Sequence, residues 1–237
     1  MNRTLLALLI ALPHPLFAGS FKPPEGCTTY LTVQSRGCRV SNHYTCTADN
    51  PGDKWRADAD QQGVYFLSRI DDEAQWVESI DLAEGSTQSL AAGAPDPASF
   101  SALMQGSDTF AFSLDQSNGT RTDVTGFDRL TGRSVTIDGV ALQETEFEFT
   151  ETDAAGTVLR HSRGNEYVHP GWRMFFAGPS EWEVDGEWQP VDGSPIKFIE
   201  PGEPGFEAGQ PIFDCDAVLS FHLDTQQAAE GQRHDTL

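Results

Sequence analysis

Short segments of alternating polarity, set off by turn clusters, constrain this chain more than any other feature. Asn50-Pro51-Gly52-Asp53, Asn118-Gly119, Asp138-Gly139, Asp153-Ala154-Ala155-Gly156 and Asp185-Gly186 punctuate it. Gly, Asn and Asp collect at such points because they tolerate the left-handed backbone of tight turns. Between the turns, Val64, Phe66 and Ile70 share one parity, as do Trp76, Ile80 and Leu82. Period two sends successive side chains to opposite faces, so these segments read as half-buried strands.

The same reading places strands at 27–34, 39–46, 54–60, 63–70, 74–82, 109–114, 121–128, 133–137, 142–152, 157–168, 172–177, 182–184, 188–191 and 197–199, and more strand within 211–223. Strands so closely joined are antiparallel. The hairpin around 153–156 predicts Thr152 opposite Thr157, Glu148 opposite His161 and Glu146 opposite Arg163. Residues 91–105 break the alternation. Asp96 as a cap, Pro97 in the first turn and Phe100, Leu103 and Met104 at helical spacing predict a short helix over 97–104. A single long sheet curls or splits. The expected fold is therefore mainly all-β: a curled antiparallel meander, barrel or half-barrel, with one short helix. A β-sandwich is the alternative. No composition break divides 19–223, which reads as a single β-rich domain, and 224–237 reads as a flexible C-terminal tail.

The first 18 residues read as a signal peptide cleaved after Ala18. Arg3 precedes an apolar stretch from Leu5 to Leu12, and Pro13 and Pro15 follow it. A membrane-spanning helix needs about 20 apolar residues, more than this stretch supplies. Export explains the four cysteines, Cys27, Cys38, Cys46 and Cys215, as two disulfides. Sequence alone allows three pairings. The hairpin over 27–46 sets Cys27 opposite Cys46 and so favours Cys27–Cys46 with Cys38–Cys215. The absence of Cys-x-x-Cys spacing argues against zinc. The expected location is periplasmic or secreted.

A formal charge of -21 at pH 7 gives a surface that repels nucleic acid and anionic membranes. No catalytic motif survives inspection. His43, His161, His169, His222 and His234 show no metal-ligand spacing, and Glu144, Glu146 and Glu148 read as a solvated strand face. Ser194-Pro195-Ile196-Lys197 matches Ser-x-x-Lys but lacks the helix that this motif needs. No metal, cofactor or catalytic residue is expected. Trp172, Phe175, Phe176, Trp182 and Trp188 are the candidate ligand-binding residues, with simple core filling as the competing account. The expected function is that of an exported non-enzymatic binding protein carrying a small apolar or lipid-like ligand in a β-sheet cavity. The alternative is a cell-envelope protein-interaction module. A hydrolase would need one of the histidines beside a carboxylate and a nucleophile.

Overall fold

The computed structural model describes residues 19–215. The expected signal peptide at 1–18, the expected tail at 224–237, His222, His234 and the expected strand region 216–223 lie outside the described residues. Thirteen strands run in chain order: β1 Cys27–Ser35, β2 Arg39–Cys46, β3 Lys54–Asp60, β4 Gly63–Ile70, β5 Trp76–Asp81, β6 Ser86–Leu90, β7 Ser107–Gln116, β8 Arg121–Ile137, β9 Val140–Asp153, β10 Val158–His169, β11 Met174–Val184, β12 Glu187–Asp192 and β13 Pro195–Ile199. The single helix, α1, is Phe100–Leu103. Among the described residues no helix is long and apolar enough to cross a membrane.

All the strands form one antiparallel sheet in the order β12-β11-β10-β9-β8-β7-β6-β5-β4-β3-β2-β1-β13, and the sheet is not closed. Its two edge strands are nevertheless consecutive in the chain. Only Gly193 and Ser194 separate β12, which runs along β11, from β13, which runs along β1. Two residues span little distance at roughly 3.5 Å each. The sheet must therefore curl until its edges meet. Phe176 on β11 and Phe198 on β13 touch edge to face at 5.1 Å, and the Phe198 amide donates to Asp138 in the β8–β9 turn at 2.9 Å.

The curl creates the core. Leu31 and Val33 of β1 pack with Phe198 of the neighbouring β13 and with Leu142, Met174 and Phe176 from β9 and β11, far along the sheet order. A second cluster joins Phe100 and Leu103 of α1 to Ala74 and Val168, and a third joins Phe110, Phe112, Leu114 and Val124. In a meander the odd-to-even hairpins all lie at one end of the roll. The α1 segment lies at the other end, in the β6–β7 connection.

Several local expectations are corrected. The helix is capped by Ser99, whose hydroxyl accepts from the Ala102 amide at 3.1 Å, and not by Asp96. Asp96 instead bridges to Ala111 and accepts from the Thr109 hydroxyl. Residues 121–128 and 133–137 are one strand, because a bulge between Leu130 and Ser134 absorbs the apparent break. A bulge between Val158 and Arg160 shifts the long hairpin. Glu148 therefore faces Arg163 and Glu146 faces Asn165, while Glu146 pairs with Arg129 at 2.9 Å. His161 still reaches Glu148, diagonally, at 2.9 Å.

Residues 211–215 form no strand. Side chains of β1 and β2 hold the backbone just before them. The Glu207 amide donates to the Thr32 hydroxyl at 2.9 Å, Asn42 donates to the Ala208 carbonyl at 2.9 Å, and Gln34 bonds both Gln210 and Ile212. This strap ends at Cys215, which is bonded to Cys38, and the other disulfide joins Cys27 to Cys46 across β1 and β2. Disulfides of this kind are characteristic of oxidising compartments. The Cys38–Cys215 bond links residues 177 apart, a ring long enough to restrict the unfolded chain strongly. Replacing both cysteines by alanine is expected to cost about 2–4 kcal/mol. The check is the urea midpoint of the variant, and an unchanged midpoint would refute the expectation.

Candidate functional site

Inside the roll lies a cavity of about 390 Å³. Alternate residues of β7 to β11 build one wall: Phe110 and Phe112, Asp128, Phe147 and Phe149, Glu166, and Phe175. Trp76 of β5 meets Phe112 and Phe149 edge-on at 5.4 and 5.6 Å. Arg39 and Arg56, on β2 and β3, face this wall from across the roll.

The end toward α1 is shut. Phe100 is buried and meets Phe175 at right angles, with ring centroids 5.7 Å apart. Glu73 ties the plug together, accepting from the hydroxyls of Ser99 and Ser101 and from Arg173. Burial works against its charge, and these bonds overcome it, so its pKa is lowered. At the hairpin end the cavity shares Phe66, Ser79, Gln88 and Arg160 with an outer hollow of about 400 Å³. That hollow is the mouth, and Asp81, Glu84, Asn118 and Thr120 surround it. Val64, Leu82, Leu159 and Val184 are exposed at the same end.

The polar groups of the cavity wall and those packed behind it are paired unequally. On β2 and β3, Ser41 donates to Asp58 at 2.6 Å and Arg56 lies 3.2 Å from the same carboxylate. Burial raises the Asp58 pKa, but Arg56, Arg39 and the Ser41 hydroxyl outweigh it, and the carboxylate stays ionised. Beside it His43 is buried and neutral, its pKa lowered to about 3 by burial and by Arg56. Asp128 and Glu166 behave differently. Their carboxyl groups have no hydrogen-bond or ion-pair partner among the described residues, and both line the cavity. Burial pushes both pKa values up, assisted at Glu166 by Asp128 and at Asp128 by Asp108. Asp108 sits directly opposite Asp128 on β7 and accepts the Ser99 amide at 2.8 Å.

The structure separates the five aromatic candidates. Phe175 and Trp182 line the cavity. Trp172 and Phe176 belong to the core cluster with Phe198. Trp188 packs against His161, with the Arg163 guanidinium 3.8 Å from its ring centre. Among the described histidines none is hydrogen-bonded to a nucleophile. His161 lies between Glu148 and Glu183, and His169 accepts the Trp172 amide. Ser194 lies in the β12–β13 link and donates to Asp192. Among the described residues no three His, Cys, Asp or Glu side chains gather to hold a metal ion.

Sequence reasoning passed over Asp128 and Glu166, two of 36 acidic residues. A pattern did mark them. Asp108 is in phase with Phe110, Phe112 and Leu114, Asp128 with Val124, and Glu166 with Val168. An acid on the buried parity of a strand is the feature that separates them from a solvated face. No protein-family model matches the chain, and no curated protein or solved structure is detectably similar to it.

Proposed function

We propose that this chain is an exported, non-enzymatic binding protein of the periplasm or extracellular space that carries a small ligand with an apolar body inside its curled sheet. The aromatic-lined cavity supports this reading. Its volume, about 390 Å³, falls within the range of roughly 300–1,000 Å³ typical of small-molecule sites. Aromatic side chains make up much of its wall, charged groups are set among them, and such a mixture can both hold an apolar body and orient it. The two disulfides fit an exported carrier.

Native mass spectrometry of the oxidised protein, before and after denaturation, tests the proposal. A small mass retained natively and lost on unfolding is the expected result. A protein that arrives empty and also fails to take up 2-naphthalenemethanol, a neutral probe of suitable size, would overturn it. That outcome would leave the acidic outer surface, and with it a protein partner, as the working part.

A further inference from the structure

The cavity holds more polar equipment than an apolar guest requires. Three of its four positive groups already have carboxylate partners among the described residues, Arg39 being the exception. Arg56 lies against Asp58, Arg160 lies 2.6 Å from Glu151, Arg69 reaches Asp53 and Glu78, and Arg39 donates to the Gly193 carbonyl at 3.1 Å. Two of its negative groups, Asp128 and Glu166, have no partner among the described residues. Both are half-buried, and both line the cavity. Drawing a carboxyl group out of water is unfavourable unless a hydrogen-bond or charge partner replaces the water, so this pair lacks a donor.

We propose that the guest is an amine, with its protonated nitrogen between the Asp128 and Glu166 carboxyl groups and its apolar body against Trp76, Phe112 and Phe149. This rests on the cavity being the ligand site, and it supplies the class of ligand. Aromatic faces attract a cation through their quadrupole, most strongly where water is excluded. An ammonium group supplies up to three donors, and bonds from it to a carboxylate are about twice as strong as neutral ones. Asp81 and Glu84 at the mouth, and a net charge of -21 on the whole chain, concentrate cations at the entrance and repel anions.

Entry of the amine moves a proton. Asp108, facing Asp128 from β7, adds like charge, while Arg56, facing Glu166 from β3, opposes it. Glu73 and Asp96 add like charge around Asp108. The empty cavity therefore holds protonated carboxyl at neutral pH. The incoming ammonium pairs with a carboxylate, and the displaced proton leaves to the buffer. Binding strengthens as the pH rises, until the amine loses its own proton.

The test is calorimetry on the oxidised full-length mature protein with three matched probes: 2-naphthylmethylamine, 2-naphthalenemethanol and 2-naphthoate. At a pH of about 8 the amine is expected to bind at least about ten-fold more tightly than the alcohol, a difference that one charge-assisted bond supplies. That preference should shrink at a pH of about 6, where the carboxyl groups are more fully protonated. Titration in two buffers of different ionisation enthalpy should show proton release. Asp128→Asn and Glu166→Gln should lose the preference and still bind the alcohol, which itself reports an intact cavity. Equal binding of amine and alcohol overturns the amine and leaves the cavity site standing. Preference for the naphthoate overturns the amine in favour of Arg39 and Arg56 as the anchor. Failure of all three probes removes the cavity site and the amine together.

Discussion

Alanine at Gly164 is expected to lower the stability of the folded chain by about 4 kcal/mol, because two independent costs fall on one methyl group. Gly164 sits within β10 at φ +151°, a conformation that side chains rarely adopt. A Cβ there would lie 2.5 Å from the Ser180 Cα and 2.6 Å from the Pro179 carbonyl oxygen. Both are backbone atoms of β11 and cannot move aside without opening the β10–β11 ladder. The register shifts between Gly164 and Glu166, so the close approach also sets how Glu166 is presented to the cavity. Gly63→Ala separates the two costs. It has φ +122° and open space around the missing Cβ, so only the backbone conformation resists substitution. Strain of that kind costs about 1–3 kcal/mol. Urea unfolding of both variants is the measurement. If Gly164→Ala loses no more than Gly63→Ala, the close strand contact contributes nothing and the argument fails.

Local chemistry made much of this sheet legible. The strands at 54–60 and 63–70 were readable to the residue, because alternation and the Gln61-Gln62-Gly63 turn bound them. The Cys27–Cys46 pairing followed from the hairpin register and was found directly opposed. β6 was missed because Ser86–Leu90 is almost wholly polar. It pairs with β5 and β7 by backbone hydrogen bonds, which no side-chain pattern announces. Bulges defeated the register of the long hairpin, since one extra residue leaves no trace in periodicity. The site was less legible still. Trp172 and Phe175 are three residues apart, yet one packs in the core and the other lines the cavity. Asp128 and Glu166 come together only when β8, β9 and β10 lie side by side in the rolled sheet. Their separation by 38 positions hides the pairing from any local reading.

The same pair predicts that the empty protein loses stability as the pH rises through neutrality. A carboxyl whose pKa is higher in the folded than in the unfolded chain binds protons more tightly when folded. Its contribution is fully present below the unfolded value, near 4, and is lost as the pH passes the folded value. For Asp128 and Glu166 the folded values are raised to about 7 and about 8, chiefly by burial, with like charge from Asp108 adding at Asp128 and from Asp128 adding at Glu166. Buried His43 has the opposite sign. Its pKa of about 3 in the folded chain makes stability fall as the pH drops below about 6.5. The two effects oppose each other in mild acid, and above about 6.5 the acids act without that opposition. His161, its pKa raised chiefly by its bond to Glu148, adds to the alkaline loss. The wild-type slope is therefore not the decisive quantity. The decisive quantity is the difference between wild type and Glu166→Gln, in which the amide cannot ionise. Below a pH of about 5 the two should have similar stability, and near pH 9 the variant should be more stable by about 2–4 kcal/mol. Urea midpoints across that range are the check, and parallel curves would show that Glu166 does not carry a raised pKa. A bound amine should act as the substitution does. An ammonium beside the ionised pair supplies the missing compensation, so saturating amine probe should restore alkaline stability to the wild type and do much less for Glu166→Gln.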